Sequence, residues 1–145
     1  MAAVPTKPEG APWLLPMLAV VDGAKSLEFY ERAFGFTAGD VMKDDSGQVL
    51  HAAVSYRDAT VMLAPGHPSW TEGTAPALSG VAPPGLLYVY VDDVDTFFAH
   101  ASAAGAGVKA APADYPWGDR MCTLTDLDGH VWNFATHIGF GPVPA

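Results

Sequence analysis

The sequence predicts an α+β fold in which two βαβββ modules curve into a mixed-sheet cleft. Three observations predict it. Strand, helix and hairpin patterns follow in the same order in each half of the 145 residues. The punctuation between them keeps one spacing, because Asp22 and Asp92, Gly35 and Gly105, and Asp58 and Asp128 are each 70 residues apart. A repeated cap, helix stop and turn is what an internal duplication produces. The chain then closes on two alternating apolar runs around Asp126-Leu127-Asp128-Gly129, the pattern of a β-hairpin.

Taken in order, Met1 to Pro12 lacks periodicity and reads as a loose arm. The first module spans 13–65. Leu14 to Val21 reads as a buried strand and Asp22 as an N-cap, with Leu27, Tyr30 and Phe34 at helical spacing before Gly35. Phe36 to Val41 makes a second strand, and Val49 to Tyr56 with Thr60 to Ala64 a hairpin turning at Arg57-Asp58. Residues 66–85 are dense in Pro, Gly, Ser and Thr, too irregular for a regular element, and read as a linker. A connection this long is either a tether or a lid, and it reads as a tether, although Trp70 is an unusual residue to leave in a loop with nothing to cover. The second module spans 86–137. Leu86 to Val91 is its first strand, Asp92 or Asp93 a cap, and Val94, Phe97, Phe98 and Ala101 one apolar helix face ending at Gly105. With the last turn centred on Leu127-Asp128, Cys122 faces Asn133 and Arg120 faces Ala135. Trp132, Phe134, Met121 and Thr123 then pack on helices, while Arg120, Cys122, Leu124, Val131, Asn133 and Ala135 face a cleft. Ile138 to Ala145 reads as a tail.

Composition narrows the function classes. Residues 1–145 suit one domain, half apolar and only 16% charged, so a packed core is expected despite 13 prolines and 15 glycines. A net charge of −9 with seven scattered cations argues against a nucleic-acid partner and suits a neutral or cationic ligand. The single Cys122 allows no internal disulfide and fits a reducing, cytoplasmic setting. No apolar run reaches spanning length and no signal-peptide pattern is visible, so no membrane partner is expected.

The segments LAVVDGAKSLEFYERAFGF at 18–36, YVDDVDTFFAHASAAGAGV at 90–108 and GDRMCTLTDLDGHVWNFATH at 118–137 resemble the vicinal oxygen chelate superfamily. That family includes glyoxalase I, extradiol dioxygenases and bleomycin-binding resistance proteins, and the likeness is greatest to its glyoxalase/bleomycin-resistance-like branch. The resemblance implies a homodimer and one divalent ion held by His, Gln or Glu, one each from the first and last strands of each half. Those ligand positions fall on Leu15, Leu63, Leu86 and Asn133, and leucine cannot coordinate. The resemblance therefore implies no metal and no cofactor, and a mainly apolar pocket for a small organic ligand.

The candidate ligand-binding residues are Tyr88 and Tyr90, which share strand parity with Leu86, together with Asn133, Trp117, Trp70 and Arg120. Rings at those places stack on a planar or cationic molecule, and Arg120 either clamps a carboxylate or pairs with Asp119 or a neighbouring acid. For catalysis the candidates are His51, if it turns inward, and Arg120. The five histidines lack the local spacing that converges metal ligands, and Cys122 lacks an adjacent base, which reads as an inert strand cysteine. Two readings stay open: a binder of an aromatic or cationic compound, and a lyase, isomerase or oxygenase that is metal-free or has an atypical site.

Overall fold

The computed structural model describes residues 2–66 and 74–140. The first module consists of β1 (Met17–Val20), α1 (Gly23–Phe34), β2 (Thr37–Lys43), β3 (Val49–Tyr56) and β4 (Ala59–Pro65). A short α2 (Pro76–Ser79) follows in the connection, and the second module is β5 (Leu87–Tyr90), α3 (Val94–Ala103), β6 (Gly107–Asp114), β7 (Asp119–Thr125) and β8 (Val131–His137). Each module makes one four-stranded mixed sheet, ordered β1-β4-β3-β2 and β5-β8-β7-β6.

Local chemistry explains the boundaries. Asp22 caps α1 by accepting from the Lys25 N–H at 3.1 Å, and Asp93 caps α3 by accepting from Thr96 N–H at 3.1 Å. Asp93 is thus the cap, while Asp92 is an exposed partner of Arg57. The first strand is shorter than its apolar run, because only Met17 to Val20 find partners on β4, and Leu14 is left 82% exposed. Pro16 has no N–H to give a ladder, and only its carbonyl takes part, accepting from Met62 N–H at 2.8 Å. The connection is also less irregular than its composition suggests: Pro76 opens α2, where a missing N–H costs nothing, and Ala77 N–H donates to Asp128 O at 2.8 Å.

One aromatic core joins the modules. Phe29, Tyr30, Phe34 and Phe36 of the first half meet Phe97, Trp132 and Phe134 of the second, with Phe34 and Phe134 ring centroids 4.8 Å apart and Phe97 and Phe134 at 4.2 Å. Burying each such ring contributes about 1.5–3 kcal/mol. The β7–β8 turn locks the halves in register. Asp128 accepts from Val21 N–H at 2.8 Å and from Ser26 Oγ–H at 2.6 Å, and Asp126 accepts from the Tyr30 hydroxyl. Burial raises the carboxyl pKa of Asp126 above its ordinary value, against the pull of the Tyr30 bond.

The same turn corrects the expected hairpin register. Gly129 has φ 88 and Asp126 N–H bonds His130 O at 3.1 Å, so the loop has three residues with glycine in the left-handed position. Cys122 consequently pairs with Phe134 and Thr123 with Asn133. A slip of one residue turns every β7 side chain over. Cys122 and Leu124 are fully buried with Trp132 and Phe134 in the core, whereas Met121 and Thr123 share the open face with Asn133 and Ala135.

Candidate functional site

The open face of the second sheet gathers polar and aromatic groups from three strands and a turn. Tyr88 pairs with Asn133 and Tyr90 with Ala135 across the parallel β5–β8 ladder, and Asp119 pairs with His137 across β7–β8. Strand alternation places all of them on the side away from the helices. Their centre is Asp119, only 2% exposed. Its Oδ2 accepts from the Tyr88 hydroxyl at 2.6 Å and the Tyr90 hydroxyl at 2.9 Å, and its Oδ1 lies 2.9 Å from His137 Nδ1. Burial alone would push this carboxyl up, but the bonds from Tyr88, His137 and Tyr90 outweigh it and hold it below the usual value. The Tyr88 hydroxyl moves the other way, pushed up to about 12 by burial and by donating to that carboxylate.

Trp117 is fixed over this group by the turn before β7. Gly118 N–H donates to Tyr115 O at 3.1 Å, and Tyr115 N–H to Asp119 O at 2.8 Å. Gly118 has φ 93, and a Cβ there would lie 3.1 Å from the His137 ring and 3.2 Å from Gly139, so the close approach also needs glycine. The exposed Trp117 stacks on Tyr115 at 4.7 Å and donates from Nε1 to the Tyr88 hydroxyl at 3.1 Å. Below them Asn133 accepts from the Thr123 hydroxyl at 2.8 Å.

A cavity of about 610 Å³ lies beside this cluster rather than over it. It opens between edge strands β1 and β5, beneath residues 74–85, with Met17, Ala19, Pro76, Val81, Leu86 and Val131 among its walls. Leu86 belongs to the same strand face as Tyr88 and connects the two places. The described part of the connection therefore covers a cavity; Trp70 lies outside the described residues.

Two expected site residues are placed elsewhere. Arg120 sits on the helix side of β7, bonding Asp95 of α3 at 3.0 Å and Asp114 of β6 at 3.1 Å, because the register slip turns it there. It is an ion-pair residue and reaches no part of the open face. Leu63 is fully buried against the helices, and the residue that matches Asn133 in the first sheet is Met62, since Met17↔Met62 and Tyr88↔Asn133 are equivalent pairs 71 residues apart. Asp22 and Asp93 share that spacing. The cleft-side set is thus Leu15, Met62, Leu86 and Asn133. Among the described residues no three His, Cys, Asp or Glu side chains converge. His51 does lie on the open face of the first sheet, 3.2 Å from Met62 Sδ. Cys122 is buried and its thiol is pushed up to about 11 by that burial. The sequence reading misses Asp119 and His137; pairing β7 and β8 around a three-residue turn is the signal that finds them opposite each other.

Residues 13–134 match the model of the Glyoxalase/Bleomycin resistance protein/Dioxygenase superfamily. The Mb0911c protein of Mycobacterium bovis is 36% identical over 130 residues, which cover 88% of this chain and 84% of that one. TioX from Micromonospora sp. ML1 has a similar structure, with a TM-score of 0.71 at 29% identity over 88% of this chain and 99% of TioX. TnmS3 of Streptomyces sp. CB03234, an antibiotic binding protein, gives 0.62 at 26% identity over 85% of this chain and 93% of its own. No helix among the described residues is long and apolar enough to cross a membrane.

Proposed function

The chain belongs to the glyoxalase/bleomycin resistance protein/dioxygenase superfamily, and from that premise we propose that it binds a small aromatic or cationic molecule through Tyr88, Tyr90, Trp117 and Asn133. One observation carries the reading: an ionised Asp119 is buried directly behind two partly exposed tyrosine rings. Their hydroxyl protons point at the carboxylate, so their faces and lone pairs, with a negative charge behind them, are what a ligand meets. That combination attracts a cation or an electron-poor ring. Asn133 adds amide N–H donors, its oxygen being taken by Thr123. The neighbouring cavity at Leu86 suits the ligand's apolar part.

The reading takes the protein as a cytoplasmic homodimer that needs no Zn²⁺, Ni²⁺, Fe²⁺ or Mn²⁺ at Leu15, Met62, Leu86 and Asn133. A second reading, a metal-free lyase or isomerase, is favoured by one contact. Asp119 orients His137 through Nδ1, the arrangement that readies the other ring nitrogen to take a proton. Set against it, the tyrosine donors that would meet a developing oxyanion are already turned to Asp119.

Tryptophan quenching with a panel of planar amines tests the proposal. A ligand found this way is expected to lose about tenfold in affinity, or about 1.4 kcal/mol, with Asn133→Leu. Tyr88→Ala should weaken it further, and unchanged binding in both variants would overturn the site. His137→Gln separates the two readings: turnover abolished with affinity retained marks an enzyme.

A further inference from the structure

The open face of the first sheet has a chemistry of its own. Met17 pairs with Met62 across β1–β4, Met62 pairs with Ala53 across β3–β4, and Met42 pairs with His51 across β2–β3. His51 is two residues from Ala53 and so shares its side of the sheet. One sulfur or nitrogen donor from each of the four strands therefore lies in a row on one face, and three of the chain's five methionines are in it.

These methionines do not fill the core. Met17 is 43% exposed and Met42 60%, and Leu63, Val61, Val54 and Ala52 pack against the helices on the opposite face. At the middle of the row His51 Nε2 and Met62 Sδ are 3.2 Å apart, one nitrogen and one thioether already turned toward each other. Cross-strand neighbours stand about 5 Å apart at Cβ, within reach of a side chain with three rotatable bonds, so Met17 can join Met62 and Met42 can join His51.

We infer that this row is a site for a soft monovalent cation, cuprous copper or silver, with His51 and Met62 as its donors and Met17 and Met42 flanking them. Thioether sulfurs beside a single imidazole favour Cu(I) and silver over hard ions, which want carboxylate oxygens, and over borderline divalent ions, which want further imidazole, carboxylate or thiolate ligands. The row supplies no carboxylate, no thiolate and no second imidazole. Because His51 and Met62 sit in contact, the ion enters by rotating the two partly exposed side chains apart. Met17 also borders the cavity proposed for the organic ligand, but His51, Met62 and Met42 do not, so the two sites are separable.

Anaerobic titration of the whole protein with Cu(I), in competition with bicinchoninate, reads the stoichiometry, and silver titrated alone gives the same test without redox chemistry. One ion per chain is expected. His51→Ala and Met62→Leu should each weaken it by about tenfold or more, with smaller losses for Met17→Leu and Met42→Leu, while Cys122→Ser leaves it unchanged. In the unaltered protein the methyl resonances of Met17, Met42 and Met62 should shift on adding silver, and that of Met121 should not, which locates the ion without any variant. Failure to compete with bicinchoninate, loss of the ion in Cys122→Ser, or a shift at Met121 alone would overturn the assignment.

Discussion

The two sheets of this chain have the same strand order and the same register between their parallel strands, yet their open faces are chemically opposite. Met17↔Met62 in the first becomes Tyr88↔Asn133 in the second. Around the first pair are thioethers, a histidine and the Ser55–Thr60 hydroxyl contact; around the second are a buried carboxylate and the hydroxyls, indole and imidazole bonded to it. The helix-facing sides, in contrast, are alike, both apolar and merged in one core. A duplicated module is constrained where it packs and free where it does not, so function is written on the side the fold leaves uncovered.

That contrast predicts unequal costs of substitution. Asp119→Ala removes the acceptor for Tyr88, Tyr90 and His137 together, and should lower unfolding stability by about 2 kcal/mol, moderated by water reaching the freed hydroxyls. Met62→Leu, a volume-conserving change at a partly exposed position, should cost less than about 1.5 kcal/mol. Urea denaturation of both variants measures the difference. Equal losses would mean that the first face contributes to the fold no less than the second, and the comparison would fail.

How much of this was legible in the sequence follows the same division. Apolar periodicity and caps locate α1, α3 and the strands that pack on them, since burial dictates those residues; β6, exposed along most of its length, and the short α2 carry no such pattern. The pairing of Tyr88, Tyr90 and Asn133 on one face also follows from alternation. Register is another matter: it hangs on whether Asp126-Leu127-Asp128-Gly129 makes a two- or three-residue loop, and Gly129 at the left-handed position decides for three. One residue of error is enough to send Arg120 to the open face and Asp119 away from it. The same single step hides Met62 behind Leu63. Apolar pattern cannot arbitrate, because β7 offers an apolar residue at Met121, Cys122 and Leu124, on both of its sides.

The acid limb of the stability curve sharpens the comparison next. Hydrogen bonds hold the Asp119 carboxyl below its unfolded value, so its contribution is complete above the ordinary carboxylate range and is lost as pH falls through the lowered folded pKa. The stability gap between the unaltered protein and Asp119→Ala should therefore stay level from neutral pH to about 5 and close below about 4. Met62→Leu touches no carboxylate, and its stability gap should show no such closing below about 4. A gap for Asp119→Ala that widens in acid would reverse the sign and remove the carboxylate from the centre of the second face.

The smallest effect is the most local. The Tyr88 hydroxyl is pushed up to about 12 because burial disfavours the phenolate and because its proton is bonded to Asp119. Replacing the carboxylate by an amide in Asp119→Asn keeps the volume, removes the negative charge, and lets the amide nitrogen donate to a phenolate. Both changes favour ionisation, so the Tyr88 pKa should fall toward the ordinary tyrosine value, with Tyr90, also raised by its bond to Asp119, following it. Tyrosinate absorbance during a rapid alkaline titration reads this, with Tyr88→Phe identifying the absorbing group. A Tyr88 that still ionises late in Asp119→Asn would assign its shift to burial alone, and the charge behind the rings, on which recognition of a cation rests, would have no measurable hold on the face it is meant to polarise.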